Sequence, residues 1–302
     1  MRLVVTELYR MWSRRLLKVL GALLLLAIVA AGAVTFVQSG RDVTELQNQA
    51  DRERQREVES CVRGDFNLPG QNRPGFDRRK RCERVVGEFQ VADPRFRLVY
   101  LPEVLMGMSP LAAILCLLLG ASFVGAEWQK GTMTTALTWE PRRVRLLIAK
   151  FVAVALFGLV FVVVMQLFLS FVLAIVAVTV GSTGGVNPEW ARATSGVAAR
   201  VAALGCITAV VGSAIATMGR NTTAALGAAF VYFGVLEGLI RGLRPKWQPW
   251  LLGDNATQFI SGQPAGEAML SKTQVEVALT LLAYVAVLTI AATSLFKSRD
   301  VT

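Results

Sequence analysis

Residues 120–150 read GASFVGAEWQKGTMTTALTWEPRRVRLLIAK, and this stretch, set between two long apolar runs, decides how the chain is organised. Apolar helix ends near Val124. Glu127, Trp128, Gln129 and Lys130 then bring charge and an amphipathic ring to a membrane boundary, where Trp is favoured. Gly131 permits a sharp turn, and Thr132 suits the N-cap of a short helix running through Trp139. On that helix Met133, Ala136 and Leu137 share one face at i, i+3, i+4 spacing, while Thr134, Thr135 and Thr138 fall off it. Pro141 suits the first turn of the next helix. Arg142, Arg143, Arg145 and Lys150 form a cationic collar of the kind that holds a loop on the cytoplasmic side. The stretch is therefore expected to be a cytoplasmic docking surface.

Composition supports a membrane setting. The 302 residues are 54% hydrophobic and 18% charged, with a mean hydropathy of +0.50. Several apolar runs exceed the roughly 18 residues needed to cross a bilayer, which predicts an all-α polytopic membrane protein. The net charge of +11 could suggest a nucleic-acid partner. However, the basic residues sit mainly at span ends or are interleaved with acids in one loop, so topology accounts for them and no nucleic acid is expected. The chain contains no histidine, which removes histidine-based triads, metal sites and proton relays. It also lacks G-x-x-x-x-G-K-[ST] and so has no phosphate-binding loop of its own. The chain itself is not expected to be an enzyme, and no metal site or cofactor is expected in it.

Hydropathy and turn residues divide the chain as follows. Residues 1–15 place Val4, Leu8, Trp12 and Leu16 on one stripe and read as an interfacial amphipathic helix. Six spans are expected at 16–37, 101–124, 148–180, 196–218, 222–240 and 275–296, with both termini inside. Basic residues ahead of the first apolar run resemble a signal peptide, but the length of the run argues against cleavage. Residues 38–100 form a hydrophilic, extracytoplasmic loop domain. In it, residues 41–59 are charged on every face, 67–75 are rich in turn formers, and 77–89 read as a second helix. If this loop faces an oxidising exterior, a Cys61–Cys82 disulfide staples the two helices into a hairpin; otherwise the two are free thiols. Cys116 and Cys206 read as small core residues. The inner loop covers 125–147, an outer loop 181–195, and the tail 297–302. Residues 241–274, with Trp247 and Trp250 among prolines and glycines, suit short helices at the outer interface.

Within the spans, Pro102 and Pro110 predict an irregular start to the second, and Gln166 in the third suits an interhelical hydrogen bond. The fourth is dense in Ala, Gly and Ser, which favours close helix approach. Asn221 is a natural N-cap for the fifth. That span carries Phe230, Tyr232, Phe233 and Glu237. Glu237 either marks a pathway or pairs with Arg241 one turn on, the favoured reading.

The combination G-x-E-W-x-x-G-T followed by E-P-R-R-x-R-L-L-I-A-K resembles the loop between the second and third spans of ABC-2 type transporter permeases. The resemblance implies a six-span exporter subunit, acting as a homodimer or half of a heterodimer with a second permease copy or paralogue. It implies that Glu127, Trp128, Gly131, Thr132, Pro141, Arg142 and Arg143 form a coupling element, seated in a groove of a separate ABC ATPase that binds ATP and Mg. A substrate route lined by the second and fifth spans is implied as well, together with re-entrant outer helices after the fifth. Aromatic side chains over 230–236 would suit a lipophilic or amphipathic cargo or, equally, dimer packing. The expected setting is a bacterial plasma membrane, with lipid as a further partner. The competing reading from another class is a non-transporting receptor or scaffold that senses through 38–100. An ion-driven transporter is disfavoured by the scarcity of ionisable residues in the spans.

Overall fold

A computed structural model describes residues 2–40, 43–63, 77–86, 95–139, 142–264, 269 and 272–298. Pro141, assigned to the coupling element, lies outside the described residues. Among the described residues twelve α-helices follow in order: α1 (Arg2–Trp12), α2 (Arg15–Ser39), α3 (Val43–Arg63), α4 (Arg78–Val86), α5 (Leu101–Gln129), α6 (Thr132–Trp139), α7 (Arg143–Thr179), α8 (Pro188–Gly219), α9 (Thr222–Ala229), α10 (Glu237–Leu243), α11 (Leu252–Ser261) and α12 (Gln274–Ser298). A π-helical segment, Phe230–Leu236, joins α9 to α10 in one span. Among the described residues six helices are long and apolar enough to cross a membrane, and there is no sheet.

The sequence boundaries differ from the helical ones for local reasons. α5 does not stop near Val124. It runs to Gln129, because Val124, Gly125 and Glu127 are all buried and no breaker occurs before Gly131. Pro102 sits in its first turn, where a missing amide costs nothing, and Pro110 lies inside without ending the helix. α7 has 37 residues, about 55 Å at 1.5 Å per residue. That exceeds the roughly 30 Å of a hydrocarbon core. α8 begins at Pro188, where Asn187 Oδ1 accepts from the Trp190 amide at 2.7 Å. Asn221 caps α9 in the same way, accepting from Thr223 at 2.9 Å. Gln166 is a correction: its Nε2 is buried with no hydrogen-bond partner, beside an apolar cavity of about 30 Å³ lined by Leu105, Met108 and Phe161.

The chain forms two compact units. The first comprises Met1–Val29, Val99–Leu173 and Gly185–Thr302. At its centre α5 and α8 pack closely through small residues. A Cβ on Gly120 would run into the Ala209 carbonyl, and one on Gly212 into the Leu117 carbonyl. The two glycines thus open reciprocal notches for the facing backbone, the close approach that small residues allow between membrane helices. Gly158 on α7 and Gly205 on α8 extend the contact to α7, where a Cβ on Gly205 would stand 2.6 Å from Val162 Cγ2. Met133, Leu147, Phe151, Ala214, Ala292 and Phe296 form a buried cluster that ties α6, α7, α8 and α12 together.

The second unit comprises Ala30–Leu98 and Ala174–Gly184. The disulfide Cys61–Cys82 links α3 to α4, and Arg78 Nε donates to the Cys61 carbonyl at 3.1 Å. A short extended pairing closes the unit. Ser182 donates its amide to Phe96 O at 2.8 Å and accepts from Leu98 at 2.9 Å, while Ser39 Oγ accepts from the Phe96 amide.

The α5–α8 notch predicts a position-dependent cost for adding one methyl group. Gly120→Ala should lose about 1–3 kcal/mol through overpacking, whereas Gly107→Ala, with no atom within 4 Å of the added carbon, should not. Thermal unfolding of the two variants in detergent measures the difference.

Candidate functional site

The 120–150 region is built around a buried set of charges. α5 carries Glu127 at its C-terminal end, α7 carries Lys150 in its second turn, and α1 supplies Glu7. Lys150 Nζ stands 2.7 Å from Glu127 Oε2 and 2.9 Å from Glu7 Oε2. All three are buried, at 0% relative exposure for Lys150, 3% for Glu7 and 6% for Glu127. The ammonium donates a hydrogen bond to Glu7, while the Glu127 contact is an ion pair off the hydrogen-bonding direction. Arg14, in the link between α1 and α2, extends the set. Its Nη2 lies 3.6 Å from Glu127 Oε1, and its Nη1 donates to the Ser122 carbonyl at 3.1 Å. The Phe123 ring supports both cations, with Arg14 at 4.6 Å and Lys150 at 5.3 Å from its centroid. Burial pulls the Arg14 guanidinium below its ordinary value, and the neighbouring Glu127 and Glu7 carboxylates pull the other way.

Such a set is costly to assemble and costlier to break. Removing water from buried charges offsets much of their attraction, but deleting one partner strands the others in a low dielectric. Its role is geometric: it fixes α1 and the ends of α5 and α7 that flank α6.

Of the residues assigned to coupling, the structure turns Glu127 and Trp128 inward. Trp128 packs edge-to-face on Phe296 at 5.8 Å, with the Arg220 guanidinium 5.0 Å from its ring. Gln129 Nε2 donates to Asn221 Oδ1 at 2.8 Å, which ties the end of α5 to the turn before α9. Gly131 makes the turn with φ +67°, a conformation that favours glycine. Thr132 is a correction to the capping expectation. It is the first helical residue of α6, and its hydroxyl donates back to the Glu127 carbonyl at 3.4 Å instead of accepting an α6 amide. Met133 is buried in the cluster with Phe296. Thr132, Thr135 and Thr138, spaced i, i+3, i+6, are the exposed hydroxyl face of α6, and Arg142 beyond it is also exposed. Arg143 opens α7.

The second expected site divides. Phe230 is 72% exposed and Phe233 42%. Tyr232 and Glu237 instead turn toward the start of α11. Tyr232 OH accepts from the Leu252 amide at 3.2 Å and Glu237 Oε1 from the Gly253 amide at 2.7 Å, so two side chains of the fifth span satisfy the first amides of α11. The favoured Glu237–Arg241 pair is present and long, at 4.0 Å, and the same Arg241 guanidinium makes a closer contact to Asp254 at 2.6 Å. Lys272 completes the stitching, with Nζ donating to Pro249 O at 2.6 Å and Asn255 Oδ1 at 3.0 Å.

Sequence reasoning missed Glu7 and Arg14 and placed Lys150 in the collar. Glu7 is the only acid in the first fifteen residues, and with Met11 it forms the buried face of α1. Trp12 and Leu16, assigned to the apolar stripe, are exposed.

Six helices long and apolar enough to cross a membrane among the described residues, with an elbow between the second and third, define an integral membrane protein. Residues 10–301 match the family described as ABC-2 family transporter protein, and the chain belongs to that family. It is accordingly the permease, not the ATPase, of an ABC transporter, and its family works with an ABC ATPase. No curated protein matched the chain.

Lys150→Met leaves Glu7 and Glu127 buried without their shared cation and should cost about 3–5 kcal/mol. Lys130→Met, at an exposed position, should change the melting temperature little. Differential scanning fluorimetry in detergent compares the two.

Proposed function

We propose that the chain couples ATP hydrolysis by a separate ATPase subunit, which carries the ATP and Mg, to export of a lipophilic or amphipathic substrate. The observation that carries this reading is the elbow. α6 presents three threonines outward, while Met133 and the Lys150–Glu127 pair fasten it and its flanking helices to the bundle. A helix held in this way passes an applied force to α5 and α7 instead of absorbing it. Thr132, Thr135, Thr138 and Arg142 are the contacting surface in this reading. Glu127 and Trp128 hold the elbow from within, and Gly131 sets its angle.

The exposed face of the fifth span, with Phe230 and Phe233, would meet a second permease copy or paralogue and line the substrate route between the two. Tyr232 and Glu237 would keep α11 in place beside it. Basic residues at the α1–α2 link and around α6 support a cytoplasmic position for that end, and with it for both termini. The disulfide supports an oxidising, extracytoplasmic setting for the loop domain. A bacterial plasma membrane fits both.

Thr138→Arg adds bulk and charge to the exposed face of α6 without touching the core. Coexpressed with the partner ATPase, it should reduce recovery of the complex at least tenfold, or about 1.4 kcal/mol, while the melting temperature of the permease stays unchanged. Full recovery and full ATP turnover would remove the docking reading.

A further inference from the structure

A cleft of about 700 Å³ opens between the α1–α2 link and the elbow. Its wall carries four cationic side chains, Arg10, Arg14, Arg15 and Lys130, against one carboxylate, Glu127, which is already shared with Lys150 and Arg14. Ser13, Thr132 and Thr135 add hydroxyls. Counting the buried set behind it, five cations face two carboxylates, a formal excess of three positive charges concentrated on one concavity. A phosphate fits that chemistry.

Two features identify the source of the phosphate. The first is depth. Arg15 is the first residue of the first span, Lys130 directly follows the second, and Tyr9 and Trp12 on α1 are exposed as aromatic residues at a headgroup boundary are. The second is continuity with an apolar track. Leu16 lines the cleft and starts an exposed stripe, Leu16, Val19, Leu23 and Leu26, running down one side of α2. A water-soluble anion has no use for that stripe, whereas an acyl chain does.

We propose that this cleft is a specific binding site for an anionic phospholipid. Its headgroup phosphate is held by Arg10, Arg15 and Lys130, and an acyl chain lies along the Leu16–Leu26 side of the first span. Arg14 contributes from the floor while it stays bound to Glu127. Occupancy bridges α1 and the start of α2 to the turn that precedes α6, so the lipid braces the elbow through charge without displacing the Lys150 contacts.

The test uses the purified full-length chain in a neutral detergent and native mass spectrometry to count retained lipid. Phosphatidylglycerol should be retained in preference to phosphatidylcholine. Arg15→Gln with Lys130→Gln, both exposed positions, should weaken retention on the order of 25-fold, from about fivefold per basic side chain. Arg192→Gln with Arg244→Gln removes the same charge from exposed positions outside the cleft and should leave retention unchanged. Equal retention of the two lipids would overturn the proposal, as would unchanged retention in the cleft variant. Displacement of the lipid by millimolar inorganic phosphate would reassign the cleft to a free anion. Loss of ATPase copurification with lipid retention intact would reassign it to a protein surface.

Discussion

A lysine with no exposed surface, placed between two carboxylates from different helices, is the constraint on which the elbow depends. Lys150 belongs to α7, Glu127 to α5 and Glu7 to α1. None of the three can be buried alone at acceptable cost. Together they require the ends of α5 and α7 to lie within one ammonium's reach, and they bring the N-terminal helix against both. The eight-residue α6 is too short to be stable by itself. It acquires a defined position because its flanking helices are locked and Met133 is drawn into their cluster.

Below this lock the bundle is held by shape. Gly120 and Gly212 let α5 and α8 approach until backbone meets backbone, so the second and fourth spans behave as one rigid pair. The fifth span is the counterpart in looseness. It contains a π-helical segment, Phe230–Leu236, leaves most of its side chains uncovered, and is tied instead to α11 through Tyr232 and Glu237. In the proposed coupling, force entering at the elbow would meet a stiff path along α5, beside a span whose irregular backbone is the natural place for rearrangement.

The general architecture was legible because membrane spans announce themselves by length and composition, and the EW, GT and EPRR residues carry a family pattern in one short stretch. The disulfide was legible as a conditional pairing. What could not be read was which way polar side chains turn. Glu127 and Trp128 sit next to Lys130 in a stretch that looks like a boundary, yet one further helical turn of burial directs them inward. Glu237 lies one turn from Arg241, yet a chain segment returning after α10 gives each a closer partner, the Gly253 amide for Glu237 and the Asp254 carboxylate for Arg241. Such choices depend on residues distant in sequence, here Glu7 and Lys150, separated by 143 positions. The lone acid on α1 was the available signal.

The rigid elbow is tested most directly by a distance between spin labels at Thr138 on α6 and Val160 on α7, both exposed, measured in the assembled transporter with and without nucleotide. A single narrow distance, the same in both states and broadened only when Lys150 is replaced by Met, is the predicted result. A distance that shifts with nucleotide in the otherwise unaltered chain would show that α6 moves independently of the span it is held to drive, and would contradict the account.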